Sequence, residues 1–160
     1  MKWLGVDQAL GNAGWVLLED EVALASGVIQ TEPSNYKGVL DSLYRAQEMA
    51  VWFLGLLEET TPDAVACEYP AVRGHRTESS LLAASALFQS VRVMGPGSVT
   101  VVNAQQVRKH FAVVDKAGLK DVLSARIDHS SCNQWNQHIT DALGVAIAAR
   151  DGKGTGVVLP

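Results

Sequence analysis

Three widely separated segments each carry side chains suited to a hard divalent cation: Asp7, Glu68, and the pair His138 and Asp141. Carboxylate oxygens are the preferred ligands of Mg²⁺ and Mn²⁺, and an unprotonated imidazole joins them more readily on Mn²⁺. Taken singly, each residue has an ordinary alternative. Asp7 could be a turn residue, Glu68 a solvated strand end, His138 a hydrogen-bonded histidine, and Asp141 a first-turn acid favoured by the helix dipole. Taken together, they suit phosphodiester hydrolysis, in which charge must be neutralised on both the attacking and the leaving oxygen.

The elements that would bring them together follow from hydrophobic periodicity. Trp3–Val6 is a short apolar run that stops at Asp7, and a turn rich in small residues follows. Trp15–Leu18 and Val22–Ile29 read as two further strands, the second interrupted at Ser26 and Gly27, giving an antiparallel meander. Helical spacing runs from Gly38 to about Glu59. Ala64–Cys67 is a continuous apolar run ending at Glu68, as suits a central buried strand, where an acid is rarely tolerated unless paired or bound to metal. A second helix over 78–94, a fifth strand over 99–102, helices near 104–111 and 119–129, and an amphipathic helix over 138–150 complete the order. His138 and Asp141, three residues apart, face the same way from the first turn of that last helix. This order implies an α/β domain over residues 1–150 with a mixed five-stranded sheet, its first three strands antiparallel, and helices on both faces. Residues 151–160 read as a flexible tail.

Length and composition suit one soluble globular domain, and no apolar run approaches a membrane span. The opening residues do not resemble a signal peptide, so a cytoplasmic location is expected. Cys67 and Cys132 lack partners at zinc-finger spacing and are expected to stay reduced. A net charge of −4 argues against a nucleic-acid partner, but the charge is polarised along the chain. Residues 1–65 hold three Lys/Arg against ten Asp/Glu, whereas residues 66–130 hold eight against five. That basic middle third includes Arg73, Arg76, Arg108, Lys109 and Lys116. These are candidate phosphate contacts if they lie beside the acidic set, and ordinary surface cations otherwise.

The run DQALGNAGW from Asp7, ACEYP from Ala66 and HITDALGVAIA from His138 together resemble the RuvC family of Holliday-junction resolvases, closest to its phage-encoded branch. The likeness spans roughly residues 1–150. It implies an RNase H-like fold, with Asp7, Glu68, His138 and Asp141 as metal-holding catalytic positions. It further implies two Mg²⁺ or Mn²⁺ ions per active site, a homodimer, and paired nicks in a four-way DNA junction. No small-molecule cofactor and no membrane are expected, and the setting is a bacterial or phage-infected bacterial cell. On this reading Asp7 bridges the ions, Glu68 serves the leaving-group ion, and Asp141 with His138 serves the ion that activates water. Lys116, and next Arg108, match the segment where the family carries essential lysines. The small-residue helix at 78–94 is a candidate dimer surface, with burial inside the monomer as the alternative. The chain departs from the family in the turn after Asp7, where Gln8-Ala9-Leu10 replaces the usual Pro-Gly-Ser. It departs again after Glu68, where only Tyr69 is aromatic. Competing readings are a related nuclease for other branched DNA or RNA and an inactive DNA-binding module. A sugar-kinase or actin-like domain would need a second domain and a phosphate-contacting Ser or Thr in the first turn.

Overall fold

The computed structural model describes residues 1–70, 77–132 and 135–159. In chain order they form β1 (Lys2–Asp7), β2 (Asn12–Glu19), β3 (Val22–Gln30), α1 (Val39–Thr60), β4 (Ala64–Glu68) and α2 (Thr77–Met94). Then follow β5 (Ser98–Val102), α3 (Ala104–His110), α4 (Lys116–Arg126), α5 (Gln137–Arg150) and β6 (Thr155–Val158). The strands lie in one sheet in the order β3-β2-β1-β4-β5-β6. β1, β2 and β3 form the antiparallel meander, while β1, β4 and β5 run parallel. The expected mixed α/β architecture is therefore present, with one strand more than expected.

That extra strand is β6, whose residues were expected to be loose tail. It pairs antiparallel with β5, Val99 opposite Val157, and Leu159 N donates to Gly97 O at 3.0 Å. Three glycines between 152 and 156 hid a strand whose partner is chosen by tertiary contact. Two strand limits also differ from expectation. β2 begins at Asn12 because Asn12–Gly14 find partners in Val28–Gln30. β3 runs unbroken through Ser26 and Gly27, where a side chain on Gly27 would stand 2.8 Å from the indole nitrogen of Trp15.

Strand alternation divides the core between the two faces. Leu4 and Val6 of β1 and Val65 and Cys67 of β4 pack with Met49, Phe53, Leu57, Leu87 and Val91 of α1 and α2. Ala66 packs on the other side among α3, α4 and α5, with Val107, Leu119, Leu123, Ala142 and Ala146. The alternation therefore sends Asp7 and Glu68 toward the α5 face. Helix α5 was expected to be amphipathic, yet every residue from Ile139 to Ala149 is buried. Its Ala and Gly positions let the sheet and neighbouring helices approach from all sides. Likewise Ala83, Ala84 and Ala86 of α2 are buried within the monomer, so they offer no free docking surface. Both cysteines are free thiols. Among the described residues, no helix is long and apolar enough to cross a membrane.

Candidate metal centre at the strand ends

In the parallel register, Val6 lies beside Cys67, so the next residues, Asp7 and Glu68, end neighbouring strands side by side. Two close approaches bring α5 over them. A Cβ on Gly5 would collide with the carbonyl of Ala142 and stand 2.7 Å from the Ala146 Cβ. One on Gly14, the strand partner of Asp7, would collide with the His138 carbonyl and stand 2.7 Å from its Cβ. Asn136 starts the helix by accepting a hydrogen bond from Ile139 N at 3.0 Å. The first five residues of α5, Gln137 to Asp141, then deliver His138 and Asp141 to the strand ends.

His138 Nδ1 lies 3.1 Å from Asp7 Oδ2. Asp141 is 8 % exposed, and both of its oxygens are engaged. Gln137 Nε2 donates to Oδ1 at 2.9 Å, and Lys116 Nζ to Oδ2 at 2.5 Å. Lys116 reaches the site because α4 starts three residues earlier than expected. Asp115 caps it by accepting from Gly118 N at 2.8 Å, which places Lys116 on the first turn. The four expected residues thus converge, with Lys116 among them.

The electrostatics are those of crowded acids. Burial raises the Glu68 carboxyl to about 7, helped by the negative charges of Asp7 and Asp141. Burial also raises Asp7; the hydrogen bond from His138 opposes this, and the charge of Asp141 adds to it. Burial works to lower Lys116, but its hydrogen bond to Asp141 and the charges of Asp141, Asp7 and Glu68 outweigh that and raise it. The buried Cys67 thiol, pushed up to about 12 by desolvation and by Glu68, has no nucleophilic role at neutral pH.

Hard oxygen donors, desolvated and repelling one another, fit Mg²⁺ or Mn²⁺ chemically. Among the described residues, however, no three His, Cys, Asp or Glu side chains form a ready-made ion cage. The acids hold Lys116 and His138 instead.

The cations divide. Arg108 lines the cleft of about 90 Å³ formed with Glu68, Lys116 and Asp141. Lys109 faces a different cleft with Gln106, His110 and Lys153, so the fold does not bring it to the centre. Arg73 and Arg76 lie outside the described residues. Sequence reasoning missed two glutamines. Gln8, whose amide donates to the backbone carbonyl of Glu68, ties the two strand ends together. Gln137 was legible only as the residue four before Asp141, a helical neighbour.

Comparison with solved structures places the fold. Thermus thermophilus RuvC in complex with Holliday junction substrate superposes with a TM-score of 0.78 at 20% identity, covering 98% of this chain and 99% of that one. Thermus thermophilus RuvC in a second structure gives 0.78 at 19% identity, covering 98% and 100%. The yeast mitochondrial Holliday junction resolvase gives 0.63 at 13% identity, covering 91% and 77%. The expected RNase H-like fold is therefore the fold of this chain, along nearly its full length. No protein-family model and no curated protein matches the sequence.

Proposed function

We propose that this chain is a divalent-cation-dependent endonuclease that resolves four-way DNA junctions by paired nicks. One observation carries the reading: Asp7 and Glu68 end adjacent parallel strands side by side, and the N-terminal end of α5 delivers His138 and Asp141 onto them. The fold likeness supports the substrate class, because one of the similar structures is a complex with Holliday junction substrate.

When bound, a pair of Mg²⁺ or Mn²⁺ ions neutralises charge on the attacking and leaving oxygens of the scissile phosphodiester. Asp7, Glu68, Asp141 and His138 would hold the pair, with Asp7 the ligand common to both ions, Glu68 serving the leaving-group side and Asp141 with His138 the water side. His138 also keeps a nitrogen on Asp7 and so fixes the rotamer of that carboxylate. Lys116 and Arg108 flank the cleft mouth and hold the phosphate backbone, which makes binding salt-dependent.

A junction with two-fold symmetry is cut twice by a C2 dimer. Among the described residues, α1 offers an apolar surface for such a dimer, with Leu40, Leu43, Tyr44, Val51 and Trp52 all exposed.

The test is incubation of the protein with a labelled immobile four-way junction in Mg²⁺, Mn²⁺ or EDTA, with flap, duplex and RNA–DNA hybrid substrates alongside. Paired symmetric nicks that need the metal, and that vanish in Asp7→Asn while junction binding persists, are expected. Binding without cleavage in either metal would leave only a DNA-binding module. Faster cutting of flap or hybrid than of junction would move the substrate class.

A further inference from the structure

We propose that the Lys116 ammonium is the built-in counter-ion of the carboxylate cluster and must leave Asp141 before a divalent cation is held there. On this view the lysine sets the affinity of the centre for metal. The inference rests on the reading of this centre as a metal site.

The geometry leaves Asp141 little to offer an incoming ion. The carboxylate is nearly enclosed, Gln137 holds one oxygen, and the ammonium sits 2.5 Å from the other. A neutral amide is a weak competitor for a cation's ligand. A full positive charge at the same oxygen competes directly, by occupancy and by repulsion. The absence of a ready-made cage among the described residues is then explained by an acid cluster that is already partly neutralised.

The lysine is also built to let go. Its backbone is fixed on the first turn of α4 by the Asp115 cap and by buried Leu119 and Leu123. Its side chain, however, is 64% exposed, so the flexible stem can swing without repacking the core. Lys116 already lines the cleft with Arg108, Glu68 and Asp141, so a DNA phosphate entering there would take the ammonium in place of Asp141. One side chain would thereby link metal loading to occupation of the cleft.

Mn²⁺ affinity, read from the free-ion electron paramagnetic resonance signal without any substrate, tests this in wild type, Lys116→Met and Arg108→Met. Hydrogen bonds to charged groups are strong enough that Lys116→Met should bind Mn²⁺ about 10-fold more tightly or better. Arg108→Met removes an equal charge from the same cleft but frees no oxygen of Asp141, and should change affinity by about 3-fold at most. Lys116→Arg, which keeps a cation on a long stem, should stay near wild type. Equal tightening in Lys116→Met and Arg108→Met would reduce the effect to general charge and overturn the proposal. So would unchanged or weaker binding in Lys116→Met, with Lys116→Gln measured in its place should the methionine variant fail to fold. In either case wild-type Mn²⁺ binding and junction cleavage would still stand. If wild type and all variants ignore Mn²⁺, the metal reading itself fails and takes this inference with it.

Discussion

Replacing Glu68 by Gln should make the metal-free protein more stable at alkaline pH and leave it unchanged in mild acid. The Glu68 carboxyl stands at about 7 in the folded chain against an ordinary 4.5, because burial and then the charges of Asp7 and Asp141 disfavour its ionised form. The folded state therefore holds this proton more tightly than the unfolded state does. Stability is fully present below the ordinary value, falls as pH rises through the window between the two, and levels off above the folded value. At about 1.4 kcal/mol per unit, ionising Glu68 in the fold costs about 3 kcal/mol above neutrality. Glutamine is neutral throughout and keeps nearly the same shape, so it avoids that cost. For a domain of this size, roughly 2–4 °C per kcal/mol gives a rise in Tm on the order of 6–12 °C. The assay is thermal unfolding by circular dichroism in EDTA, at about pH 4, below the ordinary value, and at about pH 8. A variant no more stable than wild type at the higher pH, or shifted equally at both, would refute the description of Glu68 as a desolvated acid among like charges. In saturating Mg²⁺ or Mn²⁺ the advantage should shrink, since a bound ion stabilises the wild-type carboxylate and much less the amide.

Three further outcomes follow from particular contacts. Gly14→Ala pushes a methyl group into the His138 backbone. It should cost about 1–3 kcal/mol in urea unfolding and weaken Mn²⁺ binding, whereas unchanged stability would mean that α5 does not rest on this glycine. Arg108→Ala should lower the slope of log affinity for junction DNA against log salt by about 1, while Lys109→Ala, which faces another cleft, should leave it unaltered. Equal slopes for the two variants would erase that distinction. Removing residues 155–160 strips β6 from the sheet and the packing of Val157 and Leu159 from the core. Tm should fall by several degrees, and a scan identical to wild type would return this segment to the status of a tail.

Most of the frame was legible because the strands and helices obey simple periods. Ala64–Glu68 announced itself as a buried parallel strand carrying an acid, and the convergence of its end with Asp7 follows from register alone. The three-residue spacing of His138 and Asp141 fixed their common direction. What the sequence concealed depends on partners far away in the chain. The Lys116–Asp141 contact joins residues 25 apart on different helices, and no local pattern encodes it. Nothing in the apolar run Trp3–Val6 marks Gly5 as one of the points where α5 touches the sheet. The polar start of α5 gave it an amphipathic look, while small side chains let it be enclosed on every side. For β6, three glycines diluted the strand pattern below recognition.

The enclosure of α5 has a consequence for how the chain can adapt. Half of the groups proposed to hold cations, His138 and Asp141, ride on an element that cannot shift without disturbing the whole interior, so their spacing is settled when the protein folds and not when a substrate arrives. Whatever is tuned from one relative to another must be written into more exposed parts such as α4, whose buried residues are Leu119 and Leu123. Divergence should therefore accumulate around a hub that stays almost unaltered.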